Sequence, residues 1–325
     1  LDYVCCWYKK AAEMMDGTSI RTALVSTNSV TQGETVANLW KPLFEAGVHI
    51  DFAHRTFRWD SEASMKAHVH CVIVGFSTAP NSKPKTLFFD GEAKQVGNIN
   101  GYLLDAPDVF VGNRSKPLCD VPTMSLGNQP IDGGFYSFTP EEKDEFLRIE
   151  PQAEPYFRKW VGSKEFINRI DRYFLYLREC SPAELRQLPE CMKRVEAVRQ
   201  SRLASTREVT RKLADSPREF AFTNISTGTY IVVPEVSSER RRYVPMGFMM
   251  PDVLCSNLVK IVANASIYHF GVLTSNVHNS WMRAVCGRLK SDYRYSNTIV
   301  YNNFPWPEVT DAQKAEIEKI GRAHV

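Results

Sequence analysis

VHIDFAHRTFRWDSEASMKAHVHCVIVGF, residues 48–76, decides how the rest of the chain is read. Two apolar runs, 48–53 and 69–76, flank a polar stretch that carries Arg55, Phe57, Arg58, Trp59 and Lys66. Both runs are short and β-branched, which predicts strands. The second is apolar at nearly every position, the pattern of a strand buried on both faces. A connection of this length without helical periodicity predicts an antiparallel pair. It then places Phe57 and Trp59 in a loop among cations, at the mouth of a sheet. Water gains nothing from exposed rings. A nucleobase swung out of its duplex stacks on such rings while its phosphates meet the arginines. The alternative is that both rings fold back onto the core.

Upstream, residues 2–15 carry Val4, Trp7, Tyr8, Ala11 and Met15 near one face of a predicted helix, closed by Asp16 and Gly17. Residues 21–27 predict a strand centred on Ala23, Leu24 and Val25, and residues 34–44 a second helix closed by Gly47. Helix, strand, helix, strand is the rhythm of an open α/β sheet, whose functional residues gather at the carboxyl ends of strands. Here these are Ser26, Thr27, Asn28 and Ser29, which equally suit a helix-entry loop rich in capping groups. No GxGxxG and no phosphate-binding GK[ST] stands beside these strands.

Downstream the texture turns to α+β. Residues 77–140 read as loops with brief strands. Thr139 caps a helix with acids in its first turn. Residues 163–177 predict a helix with Phe166, Ile170, Phe174 and Leu177 as its core stripe. Residues 189–213 predict a basic helix bearing Lys193, Arg194, Arg199, Arg202, Arg207, Arg211 and Lys212, either a solvated face or a set of phosphate contacts. Strands follow at 220–222 and 229–233, and a helix at 257–270. Between the last two, Ser237, Ser238, Arg240, Arg241 and Arg242 hold the hydrogen-bonding groups for phosphate and guanine edges, or else a surface loop stapled to Glu235 and Glu239. In a strand-like segment Arg240 and Arg242 share a face and Arg241 opposes them. Toward the end, Trp281, Tyr293, Tyr295, Tyr301, Phe304 and Trp306 alternate with Arg283, Arg288, Lys290 and Arg294. Rings among cations can bind nucleic acid, though packing is their default.

The chain has 325 residues, 43% hydrophobic, with a net charge of +3: two or three domains, and no uniformly basic surface. Its eight cysteines show neither CxxC nor zinc spacing, which predicts reduced thiols, no metal site and a cytoplasmic protein. No apolar run approaches membrane-spanning length and no signal peptide is visible, so no membrane partner is expected. The opening LDYVCCWYKKA starts inside an amphipathic pattern without methionine, as a fragment does. At the far end Thr310 caps a helix, and residues 321–325, GRAHV, read as translated sequencing adaptor.

The strings LDYVCCWYKKA, ALVSTNSVTQGE, FAHRTFRW, HVHCVIVGF, PEVSSERRRYVP, FGVLTSNVHNSWMR and YSNTIVYNNFPWPE, in this order, resemble the MmeI-like type IIL restriction-modification enzymes. Those are single chains with a nuclease domain, an adenine-N6 methyltransferase domain and a target recognition domain. The resemblance implies that residues 1–80 form the C-terminal half of a class I, Rossmann-like methyltransferase sheet, that 81–246 form the target recognition domain, and that 247–320 form a small C-terminal DNA-binding domain. It implies double-stranded DNA as partner, S-adenosylmethionine as the parent's cofactor, and Phe57 as the aromatic that stacks on the flipped adenine, supported by Asn28, Arg55 and Trp59. DNA contacts are expected from Ser237, Ser238, Arg240, Arg242, Arg199, Arg288 and Lys290. The chain departs from the family in having no NPPF, NPPY or DPPY, no glycine-bearing cofactor motif and no nuclease motif. The parent is therefore expected to be an enzyme with its catalytic half and nuclease elsewhere, and this chain alone is not. Two rivals are a stand-alone DNA-specificity module serving a separate catalytic chain, and a phage-defence relative with other chemistry.

Overall fold

A computed structural model describes residues 2–60 and 68–323. Lys66 lies outside them. The chain forms two compact units that interleave along the sequence: Leu1–Asp120, Val236–Arg242 and Asn276–Trp306 make the first, and Val121–Glu235, Tyr243–Ser275 and Pro307–Val325 the second.

The first unit opens with α1 (Val4–Met15), β1 (Arg21–Thr27), α2 (Gly33–Glu45), β2 (His49–Asp60), β3 (His68–Ser77), β4 (Lys85–Phe89) and β5 (Glu92–Val96). The five strands lie in the order β1-β3-β2-β4-β5, antiparallel except for β2 beside β4. The apolar β3 thus sits inside the sheet. On one face Tyr8 of α1 stacks on Phe76 (5.4 Å between centroids) and meets Trp40 of α2 edge-on, while its hydroxyl bonds Ser26 Oγ at 2.8 Å. The buried stripe of α1 is Cys5, Tyr8, Ala12 and Met15. Trp7, expected with it, is 60% exposed, because the face that carries Tyr8 and Met15 to the sheet turns the neighbouring position outward. The other face is open: Arg21, Ala23, Val25 and Thr27 of β1 are exposed, Val25 by 55%.

The expected loop is a strand. β2 runs on to Asp60, so Arg55, Phe57, Arg58 and Trp59 extend the ladder against β3. Also in the first unit, strands Val236–Ser237, Asp292–Arg294 and Gly287–Leu289 form a small sheet in that order. Beside it, helix Asn276–Val285 buries His278, whose Nε2 is 2.8 Å from the Tyr295 hydroxyl and whose ring meets Phe304 edge-on. Tyr293, Tyr295, Tyr301, Phe304 and Trp306 are all buried: these rings pack a core.

The second unit holds two four-stranded sheets, Gly247–Met249, Tyr230–Pro234, Val259–Ala263 and Met124–Leu126 in one, Leu254–Cys255, Phe157–Val161, Tyr173–Leu175 and Ser137–Phe138 in the other. Three predicted elements differ. The helix expected over 163–177 stops at Asn168, where Arg169 turns left-handed (φ 54°), and Phe174 enters a strand and stacks on Trp160 at 4.6 Å. The helix expected over 257–270 is strand Val259–Ala263, whose valine and isoleucine favour a pleat, then helix Ile267–Leu273. The strand expected at 220–222 is a single bridge from Phe222 to Gln129. Thr139 caps Pro140–Ile149, and Thr310 caps Asp311–Arg322, through reciprocal bonds with Glu142 and Gln313. That last helix includes Gly321, which is buried; a Cβ there would stand 2.9 Å from the Ile267 carbonyl oxygen. Among the described residues no helix is long and apolar enough to cross a membrane, and every cysteine is free.

Candidate nucleic-acid interface

β2 carries a bulge where its polar residues begin. His54 pairs with Ile73 and Phe57 with Cys71, three steps along β2 against two along β3. The extra residue lies at Arg55 and Thr56, and it puts Phe57 on the same face as His54. A row of rings results. His54 stacks on Phe88 at 4.3 Å, Phe57 follows at 6.3 Å from His54, and Trp59 at 6.1 Å from Phe57. Phe57 is half-buried and Trp59 is 52% exposed. Cys71, Val69, Val25 and Thr27 belong to the same open face. This is a broad aromatic and apolar surface at the carboxyl ends of β1 and β2.

Asn28 stands at the end of β1, buried in a short 3₁₀ turn, and its Nδ2 donates to Thr56 Oγ1 at 3.4 Å. The bond ties the loop after β1 to the bulge. Arg55 leaves the bulge exposed, its guanidinium 5.9 Å from the Phe89 ring.

A polar pocket opens beside the bulge, lined by Gln32, Arg55, Thr56, Tyr102, Arg283, Cys286 and Arg288, among others. Gly33 brings its walls together: it opens α2 with φ 54°, where a side chain strains, and a Cβ there would sit 3.6 Å from Gly287 Cα. Arg288 lies 4.3 Å from the centroid of the Tyr293 ring, donates to the Ser291 carbonyl and pairs with Glu239 at 3.7 Å. Arg283 donates to the Arg242 carbonyl. Burial pushes the Cys286 thiol up to about 12, against the pull of Arg288, so it stays neutral. Gln32 Nε2 is buried with no hydrogen-bond partner among the described residues. Gln32 and Tyr102 carry no sequence signal, since nothing in their spacing links them to Arg55.

The arginine cluster is a turn, not a strand. The Arg241 N–H donates to the Ser238 carbonyl, the Arg240 N–H to Ser238 Oγ, and the Glu239 N–H to Asp292 Oδ1. The strand alternation expected of Arg240 and Arg242 therefore does not apply; all three arginines are exposed. Ser237 is buried opposite Tyr293 and cannot reach DNA in this conformation, whereas Ser238 is half-buried. Lys290 tops the tight turn of the 287–294 hairpin at φ 60°, exposed.

The basic helix divides in two, Pro189–Leu203 and Glu208–Lys212. Arg199 pairs with Glu196, Lys193 with Glu190 and Lys212 with Glu208. Arg202, only 1% exposed, donates to the carbonyls of Ile131, Leu213, Ser216, Pro130 and Glu219. Arg202 thus staples distant segments of the second unit together, whereas the three ion pairs stay within their own helices.

Residues 105–308 match the family described as MmeI, target recognition domain, and residues 1–89 that described as MmeI, DNA-methyltransferase domain. DNA methyltransferase A of Bacillus subtilis (strain 168) is 43% identical over 319 residues, 98% of this chain and 36% of that protein. The type IIL restriction-modification enzyme MmeI, solved in complex with DNA, superposes with a TM-score of 0.94 at 42% identity, over 99% of this chain and 44% of MmeI. The chain thus spans less than half the length of either relative, and it belongs to the MmeI family of restriction-modification enzymes.

Proposed function

We propose that this chain supplies sequence-specific DNA recognition, together with the base-stacking edge of the catalytic sheet, to an adenine-N6 DNA methyltransferase. The observation that carries the reading is the bulge at Arg55 and Thr56, which turns Phe57 onto the open face beside Trp59 and ties it to the carboxyl end of β1. Family membership supports DNA as the partner. Adenine as the base rests on the sequence resemblance and the place of Phe57 within it.

The sheet order fits the back half of a class I methyltransferase. β1 is an edge strand among the described residues, and its exposed face carries Ala23 and Val25 at its centre. Such an edge and face are suited to the rest of a catalytic sheet, which we assign to the parent protein together with any nuclease. S-adenosylmethionine is the donor that methyltransferase relatives imply. No glycine-rich loop follows β1 or β2 among the described residues, so these residues do not make its cradle, and we assign that role to the parent as well.

The test is selection. The chain, incubated with a randomised duplex pool, enriches one short motif through rounds of binding. In the parent, 2-aminopurine at the adenine of that motif brightens on binding as the base leaves the stack. A pool that stays random overturns the recognition reading; enrichment without brightening overturns the flipped base alone.

A further inference from the structure

We propose that the pocket formed by Gln32, Arg55, Arg283 and Arg288 seats one backbone phosphate of the bound DNA, adjacent to the flipped nucleotide. This rests on the DNA-recognition reading and names a contact that it leaves open.

Three guanidinium groups line one small cavity with no carboxylate among the lining residues. Two of them are braced from behind, Arg283 by the Arg242 carbonyl and Arg288 by Tyr293, Ser291 and Glu239. Bracing of this kind pre-orders cations for a ligand and reduces the freedom lost on binding. The neutral groups are donors too. Thr56 Oγ1 accepts from Asn28, which leaves its proton to give. Gln32 Nε2 is buried without an acceptor among the described residues, a state that costs about 1–3 kcal/mol unless a ligand supplies one. A donor set with so few acceptors fits a tetrahedral oxyanion, for which guanidinium forks are the matched partner.

Size and place select a phosphodiester. The cavity volume is about 60 Å³, where one water needs roughly 10–15 Å³: room for several waters or for the oxygens of one phosphate group. Arg55 precedes Phe57 by two residues, roughly 6–7 Å along a strand. A base stacked on Phe57 therefore keeps its own or the neighbouring phosphate within reach of this pocket.

The experiment titrates the whole chain onto a labelled duplex over a salt series, as wild type and as Arg55→Gln, Arg283→Gln and Gln32→Leu. Each arginine variant is expected to lower the slope of log K against log salt by about one. Gln32→Leu, which removes no charge, weakens binding several-fold at every salt concentration and keeps the slope. A second arm follows thermal unfolding with inorganic phosphate. If phosphate raises Tm in wild type alone and both arginine variants keep the wild-type duplex slope, the site takes free phosphate and the DNA assignment is overturned. Unchanged slopes without a phosphate effect overturn the pocket altogether. A wild-type chain that does not bind duplex at all overturns the recognition reading instead. Arg283 also braces the 242 carbonyl, so circular dichroism screens its variant for folding. The exposed Arg55 carries the test if Arg283→Gln unfolds.

Discussion

Phe57 faces Cys71 across the sheet, in the place that uninterrupted pairing from His54 and Ile73 would give to Thr56. One additional residue in β2 reverses the parity of everything beyond it. Removing Thr56 from the parent protein should restore regular pairing and keep Phe57 opposite Cys71 on the open face, whereas Phe57→Ala removes the ring without changing register. The expected result for Phe57→Ala is a folded protein whose 2-aminopurine signal is lost, with affinity reduced by about 1–3 kcal/mol, the worth of one stacked base. Wild-type fluorescence in Phe57→Ala would show that the ring has no part in capturing a base.

Arg202 is a structural residue that only arginine can fill. Lysine has three donors against the five bonds made here. Arg202→Lys leaves at least two of these half-buried carbonyls without their donor, a loss of about 1–3 kcal/mol. The urea midpoint should fall accordingly. An unchanged midpoint would mean that water replaces the guanidinium.

Gly127 lies against the chain at Ser256: a Cβ on it would come 2.2 Å from the Ser256 carbonyl oxygen and 2.7 Å from that of Cys255. Next to it, the Asn128 N–H and Nδ2 both donate to the Cys255 carbonyl. Backbone cannot step aside as a flexible side chain does. Gly127→Ala is expected to lower stability by about 1–3 kcal/mol or more, read as a drop in Tm; an unaffected Tm would show the two segments free to part.

His278 makes the first unit sensitive to acid. Burial holds its imidazole neutral, its pKa pushed down to about 3 from 6.5. Between those values the unfolded chain binds a proton that the folded chain does not. Stability from this group is complete above the higher value and falls by about 1.4 kcal/mol per pH unit on acidification through the window. Denaturation midpoints from about pH 7 to about pH 5 should decline in wild type and flatten in His278→Gln. Parallel declines would assign the effect to other groups.

Local signals in the sequence were sufficient where local contacts decide. β1 has the predicted bounds 21–27, and Thr139 and Thr310 cap helices with the glutamate and glutamine three residues on. Periodicity misled at Phe166, Ile170, Phe174 and Leu177, which suit a helix until residues 173–175 find Phe157–Val161 as a pairing partner. The bulge left no trace because neither Arg55 nor Thr56 is a residue that announces one. The basic helix was legible as charge, but the destination of Arg202 depends on carbonyls offered by distant turns. The pocket joins residues near positions 32, 55, 102 and 285, a grouping that only the folded chain creates.

The first unit is assembled from three separated stretches, and this sets a rule for exchanging specificity between relatives. A graft that replaces residues 81–246 as a block takes Val236–Ser237 and Glu239 from the donor but leaves Asp292–Arg294 and Arg288 to the host. Arg242 and Arg283 are parted in the same way. A transplant that moves 236–242 together with 276–306 keeps each of these couples within one parentage, so inheritance must follow the ladder of contacts and not the order of the gene.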